Sequence, residues 1–141
     1  MSREPGDGLK RENIYEVWGD LVENAAAAAP ALIHAIYAAL QEAHLAEYFN
    51  CREEYARHDG RPFLVLQWGS FEAHIDARPF GRHLDVYGIL TIRRGLLDHP
   101  DPAVRIASLE GWERRDLQIF QTILKHAMEE ALDALDEGRL L

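Results

Sequence analysis

Residues 71–93 read FEAHIDARPFGRHLDVYGILTIR, and apolar and polar side chains alternate through them almost without a slip. Phe71, Ala73, Ile75 and Ala77 are followed, across a Pro79–Phe80–Gly81 turn, by Leu84, Val86, Gly88, Leu90 and Ile92. Between them stand Glu72, His74, Asp76 and Arg78, then His83, Asp85, Tyr87, Thr91 and Arg93. A period of two is the sign of strands that set one face against a core. The opposite face gathers most of the chemically able groups of the chain.

Working outward, Gly69–Ser70 offers a two-residue turn before Phe71, and Asp59–Gly60 offers another. Both Asp59 and Gly60 tolerate the positive φ angles of a type I′ hairpin turn. The β-friendly run Phe63–Leu64–Val65–Leu66 lies between the two turns. These signals predict a four-stranded antiparallel meander over 52–58, 61–68, 71–78 and 83–93.

Helical periodicity brackets the meander. Asn13 and Glu16 have the side-chain logic of a capping box. Ile14, Val17, Trp18, Leu21, Val22 and Ala25 would follow on one helical face. Pro30 predicts a break or kink after the alanine run 25–29. A second helix near 31–48 would turn Leu32, Ile33, Ile36, Tyr37, Leu40 and Ala43 inward. The N-terminal part therefore reads as two helices or one kinked helix. Beyond Gly95, Asp101 before Pro102 predicts the N-cap of a short helix reaching Leu109, with a break at Gly111. Leu117, Phe120, Ile123, Leu124, Ala127, Met128, Ala131 and Leu135 then form the stripe of a long C-terminal amphipathic helix that ends at Gly138. The fold class is α+β: a flexible tail over 1–12 and a single domain over 13–141.

Composition narrows the function. The 141 residues carry 24 acidic against 15 basic side chains, a formal charge of −9. That balance repels phosphate backbones and anionic lipid. The densest basic pairs, Arg93–Arg94 and Arg114–Arg115, are too small to offset it. No nucleic acid and no membrane surface are expected as partners. The apolar run 25–40 is interrupted by Pro30 and His34, and residues 1–10 lack the apolar core of a signal peptide. One cysteine, Cys51, allows no internal disulfide. A cytoplasmic protein is expected, and thirteen arginines against two lysines, with abundant alanine, point to a GC-rich bacterial genome.

The polar sheet face supplies the candidate residues. A loop over 79–82, pairing Arg78 with His83, would set Asp76 opposite Asp85 and His74 opposite Tyr87. Directly opposed like charges cost a few tenths to about 1 kcal/mol. Two facing aspartates would therefore serve as an acid/base pair with split pKa values, as cation ligands, or simply as solvated charges softened by Arg78. His74, Asp76, His83 and Asp85 are the catalytic candidates. Phe63, Val65, Glu72, Arg78, Tyr87, Ile89 and Arg93 are the candidates for holding a ligand or partner. Neither a metal nor a cofactor is expected, because no HExxH, DxDxDG, GxGxxG or Cys/His spacing occurs.

His34 and His44 lie about 15 Å apart along a helix, too far to share one ion. The His126–Glu130 spacing suits a surface pair, because the apolar stripe occupies the inward positions. Two functions stand. One is a small acidic protein-binding domain, adaptor or chaperone-like, homodimeric because its apolar stripes exceed what one sheet face absorbs, with a basic protein partner. The other is a small enzyme or ligand-binding domain that uses the His/Asp/Arg cluster.

Overall fold

The computed structural model describes residues 4–93 and 98–140. Arg94 and Gly95 lie outside the described residues. The elements run β1 (Ile14–Val22), α1 (Ala29–Glu42), β2 (Arg52–Tyr55), β3 (Pro62–Trp68), β4 (Phe71–Phe80), β5 (His83–Ile92), α2 (Pro102–Ala107) and α3 (Gly111–Asp136). The five strands form one antiparallel sheet in the order β1-β5-β4-β3-β2. The α+β architecture and the long C-terminal helix are as expected. The sheet has five strands, not four, because the segment expected to open as a helix is β1.

Asn13 caps nothing there. Its buried amide oxygen accepts from Arg105 Nη2 at 3.1 Å. Glu16 reaches across to α3, taking hydrogen bonds from Lys125 Nζ at 2.7 Å and Gln121 Nε2 at 2.9 Å. Trp18 and Val22 turn to the core, while Val17 and Leu21 turn outward. This apolar content on both faces is what mimics a helical stripe. Pro30 does not break a helix but begins one, sitting in the first turn of α1 where its missing N–H costs nothing. The helix stops at Glu42, so Ala43 is exposed rather than inward, and His44 follows at φ 58°. Likewise Gly111 starts α3 instead of interrupting it. At the other end Gly138, at φ 73°, lets its own N–H reach Leu135 O and that of Arg139 reach Ala134 O. That double bond pattern is a Schellman cap.

Turn chemistry sets the registers. Gly69–Ser70 joins β3 to β4 with Trp68 opposite Phe71 and Val65 opposite His74, as expected. Asp59–Gly60 is not a two-residue turn. Ala56 N–H bonds Arg61 O at 2.8 Å and closes a loop over 57–60, with Gly60 at φ 74°. In the last hairpin the turn is Gly81–Arg82, with Gly81 at φ 62° and Phe80 opposite His83. Pro79 continues the strand, beyond the stretch where β4 pairs with β3, so its absent N–H removes no bond on that side.

Both long helices pack on the same face of the sheet. Leu64, Leu66, Ala73, Ile75, Leu84, Val86 and Leu90 meet Leu32, Ile33, Ile36, Phe120 and Leu124 there in one buried cluster. Phe49, Trp68, Phe71 and Phe120 form an aromatic group at one end, with ring centroids 5.0–6.3 Å apart. Burying such aromatic and aliphatic side chains stabilises by about 1.5–3 kcal/mol each. The other face, which carries the candidate residues, has no helix over it among the described residues. Residues 4–9 and the 57–60 loop cover one end of it, and the rest is open.

Candidate functional site on the outer sheet face

Because β5 pairs with β4 two positions away from the expected register, Asp76 and Asp85 do not face each other. Asp76 stands opposite Tyr87, Arg78 opposite Asp85, and His74 opposite Ile89. The like-charge clash is absent. Each aspartate has its own cation instead.

Asp76 is fully buried and accepts three hydrogen bonds: Arg61 Nε at 3.1 Å, Arg61 Nη2 at 2.8 Å and the Tyr87 hydroxyl at 2.8 Å. The two-pronged guanidinium contact is the strong, directional form of a charge pair. Arg61 also bonds Asp59 Oδ2 at 2.6 Å, and hydrogen bonding to Asp76 above all holds the guanidinium charged. Burial first, and then the Asp76 charge, push the Tyr87 phenol upward, so it keeps its proton and donates it. Arg78 Nε bonds Asp85 Oδ2 at 2.7 Å, with its guanidinium 5.6 Å from the centre of the Tyr87 ring. A chain of alternating sign thus runs Asp59, Arg61, Asp76, Tyr87, Arg78, Asp85. In it Asp76 is spoken for on every side, whereas Arg78 is half open to water and Asp85 partly so.

His74 belongs to a second network. Its Nδ1 accepts the Gly6 N–H at 2.8 Å, which assigns the ring proton to Nε2, 3.2 Å from Glu72 Oε2. Gln67 Nε2 donates to the other Glu72 oxygen at 3.1 Å, and Thr91 Oγ1 donates to Glu72 O at 3.0 Å. The N-terminal segment is tied down a second time at the 57–60 loop, where Glu4 Oε1 accepts the His58 N–H. Phe63 and Val65 are fully buried and form a small cluster with Ala56. Ile89 is half-buried beneath Gly6. Arg93 bonds Gly69 O at the β3–β4 turn, and His83 accepts the Asn24 N–H at the far hairpin. His83 faces Phe80, six residues along β4 from His74 and so about 20 Å away. The expected catalytic residues are split between three places.

The open part of the face lies beside β1. Val17 is 58% exposed, Leu21 53% and Phe80 61%, all on the outer side. Beside Val17 runs a shallow cleft of about 450 Å³, lined by Val17, Trp18, Gly19, Arg78, Asp85 and Tyr87. The sequence gives no sign of these exposed apolar residues as a site, because Val17 and Leu21 also fit the inward stripe of a helix. Arg61 and Gln67 carry no signal in the sequence, being single polar residues just before β3 and near its end. A second hollow, of about 480 Å³, lies at the C-terminal end of α1 beside Cys51. Among the described residues no three His, Cys, Asp or Glu side chains converge as a metal site. His126 and Glu130 pair at 3.1 Å on the exposed side of α3. Among the described residues, no helix is long and apolar enough to cross a membrane.

An antiparallel five-stranded sheet, covered by helices on one face and carrying an open apolar row beside paired charges on the other, defines the class of the molecule. No family model, curated protein or solved structure matches the chain.

Proposed function

We propose that this chain is a non-enzymatic, cytoplasmic protein-binding domain that works as a homodimer and offers the outer face beside β1 to a partner. The exposed side chains of Val17, Leu21 and Phe80, all on this face, carry this reading. Large apolar side chains more than half exposed, together on one face and rimmed by charge, are the usual mark of a contact surface. The rim supplies specificity: Asp85 and Arg78 stand on it, and the overall charge of −9 draws a basic partner. The free Cys51 thiol suits a reducing compartment.

An enzyme or ligand site on the same face would have to use the cleft rather than the buried carboxylate, with Arg78, Asp85 and Tyr87 as its polar groups. The binding reading is favoured because Arg78 and Asp85 already neutralise each other.

The test is site-specific photo-crosslinking in cells that make the protein. A benzophenone side chain at Phe80 or Leu21 should yield one discrete adduct with another protein, identified by mass spectrometry. The same group at Glu129, on the exposed side of α3, should yield none. Equal labelling at all three positions, or no adduct at Phe80, refutes the reading.

A further inference from the structure

Val17 and Leu21 lie on an edge strand, and among the described residues nothing pairs with its outer edge. In the sheet order, β1 and β2 are the two edges. β2 is blunted in the way natural edges are, being four residues long and carrying Arg52, Glu53 and Glu54. β1 is nine residues long, without proline or lysine. Its pairing with β5 runs without a break from Glu16 to Val22, after one irregularity between Ile14 and Glu16.

The direction of its free groups is set by one contact. The Leu21 N–H bonds the neighbouring Asp20 Oδ1 at 2.9 Å, so it points away from the β5 ladder. Backbone groups along a strand alternate in direction. Val17, Gly19 and Leu21 therefore present their N–H and C=O groups to the open side. They are also the residues whose side-chain positions lie on the outer face.

We infer that β1 pairs antiparallel with β1 of a second copy, on a two-fold axis through Gly19, to give one ten-stranded sheet. Gly19 is the centre of the regular segment 16–22, and no side chain stands on the axis. The register sets Val17 opposite Leu21 of the second copy, and Leu21 opposite its Val17. Glu16 then faces Val22, and Asp20 faces Trp18. A two-fold axis at Trp18 would set Glu16 against Asp20 twice, and directly opposed like charges are destabilising. The Gly19 axis avoids this. The isologous contact is self-complementary, as a closed dimer requires. It also completes the surface proposed above: Val17 and Leu21 of both copies merge into one apolar strip, flanked on each side by Tyr87, Arg78 and Asp85.

This inference rests on the reading of Val17 and Leu21 as contact residues, but it is tested by mass, which needs no partner protein. Sedimentation equilibrium of the wild-type chain should give twice the 16.1 kDa chain mass. The doubly substituted V17K/L21K and V17D/L21D chains should each give the single-chain mass, with unchanged circular dichroism since both sites are exposed. Mixing these two should restore the double mass, because every lysine then faces an aspartate of the other chain. A single-chain wild type overturns the inference, as do charge variants that remain dimeric, or monomeric variants that stay apart on mixing. A monomeric wild type that still gives the Phe80 adduct would leave the protein-binding reading standing. A β1-paired dimer without that adduct would do the reverse.

Discussion

The indole of Trp18 lies directly on the backbone of Gly88, its neighbour across β1 and β5. A Cβ built on residue 88 would stand 2.3 Å from Trp18 Cζ2 and 2.7 Å from Cε2. The glycine thus makes room for the ring that closes the β1 side of the core. Lys125 covers the same ring from α3, its Nζ 5.6 Å from the ring centre. Replacing Gly88 with alanine should force the indole aside and cost about 1–3 kcal/mol, the range for overpacking a filled site. The check is the urea midpoint of Gly88→Ala against wild type. An unshifted midpoint would mean that the ring moves without loss.

Glu16 ties β1 to α3, and its titration gives that tie a pH signature. Burial raises its carboxyl pKa, but the hydrogen bonds from Lys125 and Gln121 outweigh this and leave it below the ordinary 4.5. A carboxyl depressed in the folded state stabilises above its unfolded value, and the contribution disappears as pH falls through the folded one. Glu16→Gln should therefore be less stable than wild type near neutrality. The gap should close as pH falls below about 4.5, which thermal melts at several pH values would follow.

Alternation made β4 and β5 readable, because each strand sends one apolar face to the helices and one polar face outward. β1 was unreadable for the opposite reason. Trp18 and Val22 serve the core while Val17 and Leu21 serve the outer face, so the period of two vanishes and i, i+3, i+4 matches remain. The overlooked signal was propensity: Ile14, Tyr15, Val17, Trp18 and Val22 are β-branched or aromatic in a stretch of nine. The candidate site suffered from a smaller slip. Placing the last turn at Gly81–Arg82 instead of 79–82 moves each β5 residue two places along β4. That exchange turns an apparent aspartate pair into two separate ion pairs. Local turn chemistry at Gly81, not the hydrophobic pattern, decides between these registers, since both keep the same faces.

Cys51 lines the hollow at the end of α1, yet its thiol is not poised for reaction. Burial, with Glu53 adding to it, pushes its pKa up from 9.0 to about 12. The folded chain should react slowly with a thiol reagent at neutral to mildly alkaline pH, and rapidly once unfolded in denaturant. The same shift has a stability consequence. A thiol whose folded pKa is raised contributes stability that is whole below its unfolded value and is lost as pH rises toward the folded one. The Cys51→Ala chain should lack this part of the alkaline decline between pH 9 and about 12. Fast labelling of the native protein would contradict the buried thiol.

Asp76 and Asp85 look alike in the sequence, on the same face of adjacent strands, but the structure gives them opposite energetics. Asp76 is wholly buried, and removing it takes the two-pronged partner from the Arg61 guanidinium, whose side chain is only 15% exposed, and leaves it the more exposed Asp59. Breaking such a pair costs about 3–5 kcal/mol, chiefly through the charge left behind. Asp85 pairs with an Arg78 side chain that is half exposed, where water takes over much of what is lost. Asp85→Asn should change stability by no more than about 1 kcal/mol. Asp76→Ala should approach unfolding, and the double change Arg61→Met with Asp76→Leu should recover most of the loss, since it removes both charges together. Chemical denaturation of the three variants beside wild type decides the matter. If Asp76→Ala proves as mild as Asp85→Asn, then Asp59 and water take over the Arg61 charge, and the buried pair adds little to stability.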